Sequence, residues 1–171
     1  MPKLSDISLS DLEEIQLQRV GWIQDLVRFV KGGTYLLVGE PGIGKTTLSL
    51  QIAADLAGQG QKVLYFSTEQ SPADLKSTVL RLFRDEGGVP SEVGDNLFLE
   101  TLVRLEDLQL WRDHIFEGPG PYSDVRLIVL DSIQGGGVAP TARKAYKELA
   151  RFTRIAKNRG CLLYTSPSPR D

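Results

Sequence analysis

Three short segments hold the residues best suited to chemistry. Gly39-Glu40-Pro41-Gly42-Ile43-Gly44-Lys45-Thr46 fits the spacing G-x-x-x-x-G-K-[ST]. Glycines at those steps let the backbone curl so that successive N–H groups converge on phosphate oxygens, and a helix beginning at the lysine adds its positive end. Lys45 is expected to reach the β- and γ-phosphates of a nucleotide and the Thr46 hydroxyl to ligate Mg²⁺, with Gly39 to Gly44 and Thr47 completing the cradle. Leu127-Ile128-Val129-Leu130-Asp131 is four apolar residues followed by an acid. A carboxylate at the C-terminal end of a buried strand, beside a phosphate loop, sits where the shell of Mg²⁺ needs one. Glu69 follows the apolar run Val63-Leu64-Tyr65-Phe66. A carboxylate at that strand end can orient or deprotonate the water that attacks a γ-phosphate. Taken singly, each has a plainer reading: a glycine-rich turn, a turn-forming Asp, an exposed Glu before a helix. Together they favour a site for ATP and Mg²⁺.

Such residues must be carried to one edge of a sheet, and the rest of the pattern supplies one. Thr34–Val38 reads as a buried strand, and a helix over residues 45–57 puts Leu48, Ile52 and Leu56 on one face before Gly58-Gln59-Gly60 stops it. Residues 62–67 form a second strand. Ser71 reads as an N-cap with Pro72 in the first helical position and Asp74 in the first turn, opening a helix with Leu75, Val79, Leu82 and Phe83 inward. Residues 85–96 are polar and rich in Gly and Pro and read as a loop. Residues 97–101 are a third strand. Leu105, Leu108, Trp111 and Ile115 mark a helix on which Trp111 and His114 are structural, residues 125–130 a fourth strand, and residues 141–159 a helix with Ala145, Leu149, Phe152 and Ala156 inward. Cys161–Thr165 has the composition of a fifth strand. The four strand–helix alternations predict an α/β fold: a mostly parallel sheet with helices on both faces. Ahead of it, residues 1–33 read as a helical lead-in, with Leu12, Ile15, Val20, Ile23, Leu26, Val27 and Val30 at roughly helical spacing. The expected organisation is this lead-in, a core over 34–165, and a non-native or disordered tail over 166–171, whose prolines cannot continue a strand.

Composition narrows the function classes. The chain has 171 residues, 20 Lys and Arg against 22 Asp and Glu, and a net charge of -2. No global basic charge advertises nucleic acid, so any such contact must be local. One cysteine and one histidine exclude a disulfide framework and a metal site built from several thiolates or imidazoles. No apolar h-region opens the chain and no run approaches the ~20 residues of a membrane span, so a soluble cytoplasmic protein is expected, with no membrane partner.

The stretch from Gly39 to about Gly160 resembles the RecA-type P-loop ATPase core, and within it the bacterial RadA (Sms) branch of DNA-repair ATPases. The resemblance rests on residues 40–48, on Val63-Leu64-Tyr65-Phe66-Ser67-Thr68-Glu69-Gln70-Ser71 and on Val129-Leu130-Asp131-Ser132-Ile133-Gln134. It implies that Glu69 is the catalytic glutamate and Asp131 the Mg²⁺-associated acid. It also implies an ATP-driven homo-oligomeric ring acting on single-stranded DNA in recombination and repair. The chain departs from the family's pattern: no four-cysteine zinc finger precedes the core, residues 135–140 make a short loop, and the family's DNA-contacting loop, trans-acting basic residues and C-terminal protease-like domain have no counterpart.

One local feature bears on DNA without the resemblance. Residues 141–160 carry seven basic residues against the single acid Glu148. Lys144, Lys147, Arg151 and Arg154 share a stripe opposite the apolar one, beside Gly135-Gly136-Gly137, and could track a phosphate backbone; a solvated helix face or a subunit contact would look the same. The residues leave open a KaiC-like or other RecA-type switch acting on protein partners, a P-loop small-molecule kinase, and a nucleotide binder without turnover. Hydrolysis of MgATP coupled to single-stranded DNA is the expected function.

Overall fold

In the computed structural model the described residues are 1–40, 42–104, 107–116, 120–133, 140–158 and 160–165. Pro41, Leu105, the Gly135–Gly137 loop, Arg159 and the tail over 166–171 lie outside them.

A five-stranded sheet is built from β3 (Thr34–Leu37), β4 (Val63–Ser67), β5 (Leu97–Thr101), β6 (Leu127–Asp131) and β7 (Cys161–Thr165), in the order β3-β7-β6-β4-β5. Every pairing is parallel. The helices are α1 (Lys45–Gly58), α2 (Pro72–Leu82), α3 (Ser91–Asn96), α4 (Leu108–Phe116) and α5 (Pro140–Ala156). All five residues of β4 and of β6 are buried, as strands covered on both faces must be.

Alternation sorts the side chains into two cores. Val63 and Tyr65 of β4, Leu127 and Val129 of β6, and Leu163 of β7 pack with Leu50, Ala53 and Leu56 of α1 and with Leu75 and Val79 of α2. Leu64 and Phe66, Ile128 and Leu130, and Leu162 and Tyr164 pack with Leu108 and Ile115 of α4 and with Leu149 and Phe152 of α5. The sheet is thus covered on both faces, by α1 and α2 on one and α4 and α5 on the other. Phe66, Trp111 and Tyr122 add edge-to-face ring contacts to the second core, with centroids 5.2 and 5.9 Å apart. β7 lies between β3 and β6 rather than at an edge.

Three expectations require correction. The lead-in is not an α-helix. It forms short 3₁₀ turns at Leu4–Asp6, Leu9–Asp11 and Gly21–Asp25, and an antiparallel pair of two-residue strands, β1 (Glu14–Ile15) and β2 (Phe29–Val30). Ile15 and Leu17 are buried at a spacing of two, whereas Leu12 and Leu26 of the presumed stripe are 56% and 78% exposed. The backbone is held extended by the Asp55 carboxylate of α1, which accepts from the N–H groups of Gln18 and Val20. The polar stretch 85–96 is not all loop: Pro90 sets the start of α3, whose Val93 is buried against Gly58 of α1. A helix of six residues with one apolar anchor leaves no periodicity to read. Finally, β3 is not buried on both faces, since Leu36 is 57% exposed at the sheet edge.

Candidate functional site

The site forms because odd-numbered positions of β4, β6 and β7 all face α1. Their last members, Ser67, Asp131 and Thr165, stand together at the C-terminal edge of the sheet, where α1 begins. Ser67 pairs with Asp131 in the β4–β6 register, and the Thr68 N–H donates to the Asp131 carbonyl at 2.8 Å, continuing the ladder past the strand ends. That extension carries Glu69 alongside Ser132.

The loop before α1 turns on Gly42 and Gly44, at φ +73° and +99°, where side chains are strained. A Cβ at either would meet nothing within 4 Å, so their backbone borders open space. The first-turn N–H groups of α1 have no intrahelical acceptor by geometry and are aimed at that space. Lys45 spans the loop, its Nζ donating to the carbonyls of Gly39 at 2.6 Å and Glu40 at 2.8 Å.

Asp131 is almost buried and accepts three hydroxyl protons. Thr46 Oγ1 and the Tyr65 phenol both donate to Oδ2 at 2.7 Å, and Thr165 Oγ1 donates to Oδ1 at 2.6 Å. Burial first, and then the charge of Asp131, push the Tyr65 phenol well above its usual range, so it stays protonated and a donor. Ser132 Oγ donates to Glu69 Oε1 at 3.3 Å, and Glu69 is otherwise exposed. The Ser67 hydroxyl caps the turn behind it by accepting from the N–H groups of Glu69 and Gln70, at 3.3 and 2.9 Å. Gly42, Gly44, Lys45, Thr46, Glu69 and Asp131 line one cleft of about 320 Å³.

The donor set can be tested against the ions it would take. A threonine hydroxyl and a carboxylate are hard oxygen donors, the kind Mg²⁺ accepts, and two protein oxygens suffice where phosphate and water fill the remaining positions. Among the described residues there is no cluster of three or more His, Cys, Asp or Glu that could hold a metal by itself. The residues therefore fit Mg²⁺ bound together with a phosphate ligand.

A family model described as an AAA domain matches residues 2–164. The chain belongs to this AAA-domain family. Its parallel sheet and loop geometry are those of a RecA-type P-loop fold. The DNA repair protein RadA of Campylobacter jejuni is 43% identical over 105 residues, which are 61% of this chain and 20% of that protein. RadA of Chlamydia trachomatis is 36% identical over 132 residues, 77% of this chain and 26% of that protein. RadA of Helicobacter pylori is 52% identical over 113 residues, 59% of this chain and 25% of that protein. The chain spans about a quarter or less of the length of these relatives.

Within this AAA-domain fold the residues singled out in the sequence separate into two places. Lys45, Thr46, Thr47, Gly42, Gly44, Glu69 and Asp131 come together at the cleft. Gly39 and Glu40 supply the carbonyls that hold Lys45, and Ile43 is 68% exposed on the loop. Lys144, Lys147, Arg151 and Arg154 lie exposed on α5, on the opposite face of the sheet. Arg151 is partly engaged, 3.5 Å from Glu148, which is buried and also 3.7 Å from Arg112 of α4. The one acid of the helix is thereby shared between Arg112 and Arg151, and among the described residues Lys144, Lys147 and Arg154 make no ion pair with it. Sequence reasoning missed Tyr65, Ser49 and Ser132. Tyr65 lies within an apolar strand, and only the alternation that sends it to the α1 face could mark it; for Ser132 the one available signal is its place directly after the acid at a strand end.

Proposed function

We propose that the chain binds MgATP in this cleft, hydrolyses it, and couples hydrolysis to single-stranded DNA held along α5. The observation that carries the reading is the convergence of Lys45 and Thr46 from the start of α1, Asp131 from the end of β6 and Glu69 from beyond β4 on one small cleft. Each would do a distinct task. The loop N–H groups bind phosphate oxygens. Lys45 exchanges its two carbonyl partners for the β- and γ-phosphates. The Thr46 hydroxyl gives its proton to Asp131 and so turns a lone pair toward the cation. A magnesium ion held there would neutralise charge on the phosphate oxygens. Glu69 has Oε1 engaged by Ser132, which leaves Oε2 to accept the proton of the attacking water. The names of the RadA relatives support a role in DNA repair, and the exposed positive stripe of α5, of which only Arg151 is paired with Glu148, supports a phosphate backbone as the ligand. Assembly into a ring in the whole protein belongs to the same proposal.

The test is ATP hydrolysis with and without single-stranded DNA at two salt concentrations, beside Glu69→Gln. Turnover that rises with DNA, loses that stimulation at high salt and vanishes in the variant is expected. Turnover indifferent to DNA overturns the coupling, and turnover that survives in Glu69→Gln overturns the role given to Glu69.

A further inference from the structure

Tyr65 sits mid-strand in β4 with no exposed surface, and the reaction proposed above gives it no part. Its hydrogen bonds can be assigned by counting protons. A carboxylate oxygen only accepts, so the phenol proton is committed to Asp131 Oδ2, and so is the proton of Thr46, both at 2.7 Å. The phenol oxygen is left as an acceptor, and Ser49 Oγ stands 2.8 Å from it. Ser49 is itself 2.9 Å from the Thr46 carbonyl. The contacts close a circuit from Thr46 through Asp131, Tyr65 and Ser49 back to Thr46, tying both candidate cation oxygens to the first turn of α1. A carboxylate oxygen offers two in-plane lone-pair directions. On Oδ2 both are taken, one by Thr46 and one by Tyr65, and on Oδ1 the Thr165 hydroxyl takes one, so a cation-bound water has a single direction left, on Oδ1.

We propose that Tyr65 is a positioning residue for the cation. By occupying Oδ2 it makes Asp131 hold the Thr46 hydroxyl and a cation-bound water instead of ligating the ion directly, which selects strongly hydrated Mg²⁺ over Mn²⁺. Mg²⁺ sheds water reluctantly and is well served by a carboxylate one water away. Mn²⁺ takes carboxylate oxygens readily and gains when Oδ2 is freed. The proposal rests on the MgATP reading of the same cleft.

The experiment uses the full chain carrying Glu69→Gln, so that turnover does not consume the nucleotide. Binding of a fluorescent ATP analogue is titrated without metal, with Mg²⁺ and with Mn²⁺, and the Mn²⁺ complex is examined by electron paramagnetic resonance. Tyr65→Phe keeps the ring that fills the core and removes only the hydroxyl. It is expected to raise the Mg²⁺ half-saturation about ten-fold, the lower end of what losing a partner of a metal-site ligand costs. Mn²⁺ half-saturation should move much less, metal-free affinity should stay within about two-fold, and the Mn²⁺ resonance should change shape as a carboxylate oxygen enters its shell. Ser49→Ala, which leaves the phenol donor in place but unbraced, should shift Mg²⁺ in the same direction by a smaller factor. Unchanged Mg²⁺ and Mn²⁺ titrations in Tyr65→Phe overturn the proposal, and so does an equal loss of metal-free affinity, which would mean a distorted phosphate loop. If the chain with Tyr65 intact binds no nucleotide in any metal, the MgATP reading fails and takes this one with it.

Discussion

Removing the Asp55 carboxylate should release the lead-in from the core, and the cost can be worked from its partners. Asp55 is 4% exposed on α1. Its oxygens accept from the Gln18 N–H at 3.0 Å, from the Val20 N–H at 2.8 Å and from Gln59 Nε2 at 2.8 Å. In Asp55→Ala the buried Val20 N–H loses its acceptor, at about 1–3 kcal/mol, and the N–H of the more exposed Gln18 loses about 0.5–1.5 kcal/mol. The Gln59 amide can turn to solvent, adding roughly 0.5–1 kcal/mol. The sum is about 2–5.5 kcal/mol, a large part of the 5–15 kcal/mol typical of a domain. At about 2–4 °C per kcal/mol for a chain of this size, Tm should fall by roughly 4–22 °C. Asp55→Asn keeps one acceptor oxygen and should lose about half as much. Urea denaturation gives the free energy, and amide exchange gives its location: protection should drop first between Glu14 and Lys31. A loss under about 1 kcal/mol in Asp55→Ala would refute the claim that this carboxylate holds the segment extended.

Glu69→Gln should leave nucleotide binding intact and lower turnover by about 10²–10⁴, the usual worth of a general base, read by single-turnover hydrolysis. Replacing Lys144, Lys147 and Arg154 together by Ala should weaken single-stranded DNA binding and flatten its salt slope by about 2, at roughly 0.7 per phosphate contact; Arg151→Ala alone should matter less because Glu148 already shares that charge. The Ser71 hydroxyl, and then its backbone N–H, hold the Asp74 carboxyl below its ordinary value. A value depressed by folding stabilises the folded state above the ordinary carboxylate range, and that gain is lost as pH falls through the folded value. Amide exchange over residues 72–76 should therefore accelerate below about pH 4, and Asp74→Asn should abolish the change.

What the sequence made legible follows from how local each signal is. Ser71, Pro72 and Asp74 announce the start of α2 within four residues, and the structure shows the reciprocal capping box. The apolar runs of β4 and β6 are long enough to need burial on both faces, and both are buried throughout. In the lead-in, Ile15, Leu17, Val20 and Ile23 satisfy two periods at once: they match a helix loosely and an extended segment with a turn equally well. What decides between them is the Asp55 carboxylate, 35 residues downstream of Val20. The exposure of Leu36 is illegible for a different reason, since a run of apolar residues carries no information about which strand lies at the edge of the sheet. Within the site, the phosphate loop and the two acids were legible from residue type and spacing, whereas Tyr65 depended on the face to which alternation sends it.

The dependence of the site on strand register gives it a sharper logic than a list of motif residues does. Tyr65 is paired with Val129, and Asp131 lies two residues further along β6 on the same face, within reach of a tyrosine but not of a shorter side chain. A slip of one residue between β4 and β6 would send Asp131 to the α4–α5 face and break its contacts with Thr46 and Tyr65 together. The same slip would place charge against Leu64 and Phe66 of β4 and against Leu149 and Phe152 of α5 in an apolar core, at a cost far above that of a lost hydrogen bond. The acid therefore helps to specify the register that puts it to use. The backbone ladder continues past it from the Thr68 N–H to the Asp131 carbonyl, and with the Ser132 hydroxyl donating to Glu69 it ties the spacing of the proposed cation and water sites to the register of β4 and β6.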